Sequence, residues 1–212
     1  MSNNIKVALA GAGAFGIKHL DGIKLIDGVQ VTSLISRDIE KTRETAAKYG
    51  IGHFEAAMLA QYELTQRFTA EFSIRTFLEA YPEDTLERLR VWAGDSSHHV
   101  RRLVSEGTRP RLPWGMRLQA LVRDPEPTAK ILEALKDDDS LFVRRSVANH
   151  LNDITKDHHD YVLQRLEAWD LEREHLKWIA KHACRTLIKR GHPRALKLFG
   201  FGKKAEVTAK LV

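Results

Sequence analysis

The chain has 212 residues, 43% of them hydrophobic and 29% charged, with a formal net charge of +6, the composition of a globular protein of one or two domains with a full core. No apolar run reaches the ~18 residues needed to cross a membrane, and the short apolar stretch Val7 to Ala14 lacks a secretory cleavage pattern. The single cysteine, Cys184, excludes an internal disulfide, so the expected location is cytoplasmic. The first 57 residues hold 7 Lys/Arg and 6 Asp/Glu, which leaves a net +5 on the remainder. That surplus points to a polyanion such as nucleic acid about as strongly as to a plain solvated surface.

In chain order, Ile5 to Ala10 reads as a buried strand, Phe15 to Leu25 as a helix, Val29 to Ile35 as a second strand and Arg37 to Tyr49 as a second helix. Beyond residue 58 the apolar spacing is helical throughout. It predicts helices near 59–80, 83–94, 98–107, 115–122, 127–136, 141–154, 158–168, 172–190 and 193–199, punctuated by Asp84 or Pro82, Asp95, Asp124-Pro125 and Asp157. The expected fold is mainly α, a HEAT-like helical repeat array behind a short β-α-β-α Rossmann-like fragment. The expected divisions are 1–54, 58–202 and a tail at 203–212.

Between the first strand and helix lies Gly11-x-Gly13-x-x-Gly16. It suits a tight turn whose backbone N–H groups approach a pyrophosphate at a helix N-terminus. Ser36-Arg37 stands where an acidic residue would bind a ribose hydroxyl, which favours NADP over NAD. With His19-Leu20-Asp21-Gly22 and Ala47-Lys48-Tyr49-Gly50-Ile51-Gly52, this stretch resembles the N-terminus of the Gfo/Idh/MocA oxidoreductases. The resemblance covers about 54 residues. The third strand, the Glu-Lys-Pro motif and the substrate domain of that family have no counterpart, so the fragment is expected to cap the array. Gly11, Gly13, Gly16 and Arg37 are the candidate nucleotide contacts, and no cofactor is expected for the main activity.

Val100-Arg101-Arg102-Leu103-Val104 returns 43 positions later as Val143-Arg144-Arg145-Ser146-Val147, and Ile179 to Arg185 offers a third, looser copy. A period of about 40 to 47 residues marks stacked helix pairs, which present one concave face. Adjacent helical residues point about 100° apart. One Arg of each pair is therefore expected in the groove and the other in an ion pair between repeats.

The strings Leu64 to Arg75, Val100 to Trp114, Val143 to Asp153 and Lys156-Asp157-His158 resemble the AlkC-type DNA alkylation repair proteins, HEAT-like-repeat glycosylases, over residues 63–201. That resemblance implies hydrolysis of the N-glycosidic bond of cationic N3-alkylated bases, 3-methyladenine and 3-methylcytosine, without base flipping. It places Glu71, Glu106, Trp114 and Asp153 on the active-site positions. The partner implied is double-stranded DNA bearing alkylated bases, with no membrane and a monomeric protein. Asp153 is expected to orient water and stabilise the sugar cation, with Glu71 and Glu106 assisting. Trp114 would offer a π-face. Arg101, Arg102, Arg109, Arg111, Arg144, Arg145 and Lys156 are the candidate phosphate contacts, and His150 and Asn152 the candidate contacts near the lesion.

Read without the resemblance, Glu106 serves equally as the i,i+4 partner of Arg102. Trp114 reads as core unless Pro110 and Pro113 project it, while Trp92, Trp169 and Trp178 sit in core patterns. His182, Cys184 and His192 lack a metal's ligand set, so no metal is expected. The sequence departs from the family pattern in the helical repeats that usually precede the Glu71 motif, in His159 where proline is usual, and in the absence of an added C-terminal domain. A DNA-binding scaffold without catalysis, or an NADP-binding protein, are the competing readings.

Overall fold

The computed structural model describes residues 5–49 and 54–201. It begins with β1 (Ile5–Ala10), α1 (Ala14–Ile23), β2 (Val29–Ile35) and α2 (Ile39–Lys48). The two strands pair in parallel from Ile5–Val29 to Ala10–Ile35, with a shift in register between Val7 and Ala8. Leu20, Ala12 and Leu34 form a small core beneath them. Among the described residues this two-stranded sheet is the whole of the β-structure.

The array follows as α3 (Phe54–Arg67), α4 (Ile74–Ala80), α5 (Pro82–Trp92), α6 (His98–Gly107), α7 (Gln119–Arg123), α8 (Ala129–Leu135), α9 (Leu141–Ile154), α10 (His159–Glu167), α11 (Glu174–Ala183), α12 (Arg185–Lys189) and α13 (Pro193–Leu198). Helix α9 packs between α6 and α11, and α3 packs on α6. Helices α5, α8 and α10 back this row, giving the two layers a repeat array requires. One continuous core joins them and takes in Ile35 of β2, so the β-α-β-α unit is seated on α3. The first helix of the array, α3, begins at Phe54. The tail assigned to 203–212 lies outside the described residues, as do Gly50 to Gly52 of the oxidoreductase-like stretch.

Two long helices expected from the sequence are broken. The expected 59–80 helix stops at Arg67 and resumes at Ile74. Ser73 Oγ turns back to donate to Gln61 Oε1 (2.5 Å) and also meets the Ala70 carbonyl (3.2 Å), which holds a turn at residues 70–73. The expected 172–190 helix breaks at Cys184, where Asn152 Nδ2 donates to the Ala183 oxygen (2.6 Å) and Arg185 Nη1 to the His182 oxygen (2.7 Å).

The doubled motif has a physical meaning upstream of its arginines. Asp95 accepts from the Ser97 amide and Asp138 from the Ser140 amide, each forming a turn that starts a helix. Arg101 then donates to the carbonyls of Asp95 and Ser96, and Arg144 to those of Asp138 and Asp139. The first arginine of each copy ties down the loop before its own helix.

Candidate active site

Turns and helix ends bring the acidic residues together. Glu71 sits in the turn before α4, Glu106 near the end of α6 and Asp153 near the end of α9, all buried. Cations alternate with them in one chain of contacts. Arg102 Nη1 donates to Glu71 Oε2 (2.9 Å), and its Nη2 lies 3.6 Å from Glu106 Oε1. Arg109 Nη1 donates to Glu106 Oε1 (2.6 Å) and its Nε to Asp153 Oδ2 (2.8 Å). Lys156 Nζ closes the chain on Asp153 Oδ1 (2.9 Å). Ser146 Oγ donates to the other oxygen of Glu106 (2.6 Å). Burial opposes the charge on Arg109, yet Glu106 and Asp153 outweigh it and raise its pKa. The three carboxylates are thus held with their cations in a partly water-excluded row.

Trp114 stands apart from that row and is 100% exposed, with φ +60°. A bulky residue in the left-handed region costs roughly 1–2 kcal/mol and persists only where the surroundings dictate it. The restraint is Arg75, a residue the sequence reading passed over. It is 0% exposed on α4, and its guanidinium donates to the carbonyls of Gly107 (2.8 Å), Arg109 (2.7 Å) and Met116 (2.9 Å). Burial first, and Arg109 second, hold its pKa down to about 10, so it stays charged at neutral pH. Gly107 lets α4 come this close, since a Cβ there would lie 2.4 Å from Ile74 Cγ2. Trp114→Gly should be more stable than the native chain by about 1 kcal/mol in urea unfolding. Trp114→Ala should gain nothing.

Other candidates are placed differently. Arg101 is bidentate to Asp138 (2.6 and 3.0 Å), Arg111 is bidentate to Asp157 (2.8 and 2.7 Å), and Arg144 is buried on its two carbonyls. All three are engaged in tying loops together. Asn152 is buried and spends its amide on Ala183 and Thr186. Arg145 is exposed on α9. Trp92 and Trp169 are buried, whereas Trp178 reaches the surface and stacks on His182 at 5.2 Å. No cluster of three or more His, Cys, Asp or Glu residues suited to a metal occurs among the described residues, and no described helix is long and apolar enough to cross a membrane.

His150 is sealed in the interior at 0% exposure, with Nδ1 on the Ser105 carbonyl (3.0 Å). Burial, against the weaker pull of Asp153, lowers its pKa to about 4 from the usual 6.5. An unfolded chain takes up a proton below pH 6.5 while the folded one does not until about 4. The stability His150 contributes is therefore complete above pH 6.5 and falls away between 6.5 and 4. By urea unfolding the loss at pH 5 should be about 2 kcal/mol, and His150→Gln should remove that part of the slope.

The glycine loop forms its own cleft with Arg37 and Lys41, and this cleft reaches Phe72 and Ser73 beside Glu71. Gly11 has φ +120°, and a Cβ on Gly16 would lie 1.9 Å from the Gly11 oxygen. The loop therefore requires glycine at position 16.

This arrangement can be set beside known proteins. The model of the family described as DNA alkylation repair enzyme matches residues 57–187. YhaZ of Bacillus subtilis (strain 168), an uncharacterized protein, is 47% identical over 154 residues, 73% of this chain and 43% of that one. The Pseudomonas fluorescens alkylpurine DNA glycosylase AlkC, solved on DNA containing an abasic site analog, aligns at TM-score 0.72 and 51% identity over 79% of this chain and 47% of its own. Over 49 residues, 23% of this chain, 4-carboxy-2-hydroxymuconate-6-semialdehyde dehydrogenase of Sphingobium sp. (strain NBRC 103272 / SYK-6) is 63% identical, covering 16% of that protein. The chain thus spans less than half the length of these relatives. With a family model matched across well over half of its residues, the chain belongs to the DNA alkylation repair enzyme family.

Proposed function

We propose that this protein is a DNA glycosylase that hydrolyses the N-glycosidic bond of cationic N3-alkylated bases, chiefly 3-methyladenine and 3-methylcytosine, in double-stranded DNA without flipping the base. The single observation that carries the reading is the row Glu71, Glu106 and Asp153, buried and joined through Arg102 and Arg109. An N3-alkylated base is already positively charged, so its bond to the sugar is weak and no general acid has to protonate the leaving group, unlike ordinary glycoside hydrolysis. What remains is to stabilise the sugar cation and direct a water, for which a carboxylate suffices. The reaction is a hydrolysis and uses no cofactor.

Asp153 is the carboxylate assigned to the cation and the water. Arg109 fixes one of its oxygens, and the other is covered by Lys156, a side chain 42% exposed. Movement of the Lys156 ammonium onto a phosphate would uncover that oxygen as DNA docks. Arg145, exposed on α9, and Lys156, once its ammonium leaves Asp153, are the candidates to meet phosphates, whereas Arg101, Arg111 and Arg144 serve the frame. Trp114 rests against the cationic sugar or base. Incubation of the folded protein with methylated DNA should release 3-methyladenine, more slowly as salt rises. Salt-dependent binding without release would favour a non-catalytic DNA-binding module.

A second reading concerns the N-terminal unit, a fragment akin to the Gfo/Idh/MocA oxidoreductases that now caps the array. Arg37 shares a cleft with Gly11 and Gly13, which favours retained NADP binding. Fluorescence titration with NADPH tests this, and the absence of a saturable change removes it.

A further inference from the structure

We propose that Arg145 and Arg185 clamp one backbone phosphate of double-stranded DNA, with Asn149 as the positioning residue that aims Arg185. The clamp rests on DNA being the partner and is independent of the chemistry assigned to Asp153.

The repeat itself carries a reversal of charge. Arg102 and Glu106 of the first copy become Arg145 and Asn149 in the second, 43 residues on, and Lys181 and Arg185 in the third, after 36 more. The first copy sets a carboxylate 3.6 Å from its arginine. The second offers a neutral amide there and the third a cation. Asn149 lies one turn beyond Arg145 on α9, so the two share a face. Arg185 reaches over from the start of α12. Its Nη2 donates to Asn149 Oδ1 (3.1 Å) and its Nη1 to the His182 carbonyl (2.7 Å). An arginine only donates, which fixes the amide with its oxygen toward Arg185. His182 Nε2 donates to the same oxygen (3.2 Å), and its ring is stacked on Trp178. The pKa of His182 is lowered by burial first and by Arg185 and Arg145 after it, so both guanidiniums lie near one ring.

The partners of Arg185 carry no charge. Among the described residues neither Arg145 nor Arg185 makes an ion pair, whereas Arg102 and Arg109 of the neighbouring row have theirs. Arg185 is half-buried, and burial lowers its pKa against the pull of Asp153. An anion docked beside it supplies the counter-charge that its surroundings withhold. Two planar donor groups one helical turn apart match the two free oxygens of a phosphodiester.

The test is fluorescence anisotropy of the whole chain on a duplex carrying an abasic-site analog, with one uncharged methylphosphonate moved along each strand in turn. At one position the replacement should weaken native binding about tenfold. Arg145→Met and Arg185→Met should each weaken binding to the unmodified duplex by a similar factor. Both should become indifferent to that same position while other positions keep their effect. The double variant should flatten the dependence of log K on log salt by about one unit. Asn149→Asp gives Arg185 the carboxylate that the first copy has, and should reproduce the loss. Arg145 is exposed, so its variant and Asn149→Asp decide the matter if urea unfolding shows Arg185→Met to be destabilised. Base release, measured separately on the same protein, bears on the glycosylase reading alone. No binding to the duplex, variants that bind as the native chain does, or variants that stay sensitive at every phosphate would overturn the clamp.

Discussion

Asp153→Asn is expected to slow release of 3-methyladenine about a thousandfold while DNA binding changes only a few-fold. A carboxylate about 4 Å from a sugar cation contributes about 4 kcal/mol at an effective dielectric near 20. The cation exists only near the transition state, so the loss falls on the chemical step and not on binding. Asparagine keeps the shape and can still accept from Arg109 Nε, which retains Glu106 as its second partner. The fold should therefore survive. Binding measured on DNA with an abasic-site analog, beside single-turnover release, separates the two effects. A variant that releases base at the native rate would remove Asp153 from the chemistry.

Arg75→Met is expected to have the largest effect on stability, lowering it by roughly 3 kcal/mol or more. The native guanidinium satisfies three carbonyls that lie in or beside the loop after α6. A methionine fills the space but leaves those acceptors in an apolar setting, at about 1–3 kcal/mol for each that finds no partner. Arg75→Lys should recover little, because an ammonium on a shorter fork cannot reach Gly107, Arg109 and Met116 together. The loop should loosen with Trp114 on it, so limited proteolysis should cut at Arg111 or Arg117 in the variant before it cuts the native chain. Unchanged urea unfolding and proteolysis would show that the loop does not depend on Arg75.

The starts of α6 and α9 were legible because the apolar periodicity there follows turn-forming residues, Asp95 to Ser97 and Asp138 to Ser140. The break at residues 68–73 was not, since no glycine or proline marks it and the turn depends on Gln61 from the preceding helix. The kink at Cys184 depends on Asn152, 32 positions earlier in the chain, a tertiary contact that local pattern does not encode. Arg75 escaped notice for a similar reason. Glu79 lies four residues on and suggests an exposed surface pair, whereas the helix turns Arg75 inward onto backbone carbonyls.

The candidate site was legible as residue types and less so as roles. Glu71, Glu106 and Asp153 lie far apart in sequence and meet through Arg102 and Arg109. The doubled Val-Arg-Arg marks the array, but its first arginines serve the frame, and only Arg102 of the first pair reaches the carboxylates.

The most direct measurement compares release of a cationic base and a neutral one by the same folded protein at low salt. If the buried carboxylates act on a leaving group that is already charged, 3-methyladenine is released from methylated DNA while neutral O6-methylguanine stays in place. Comparable release of both, or release of neither, would contradict the account.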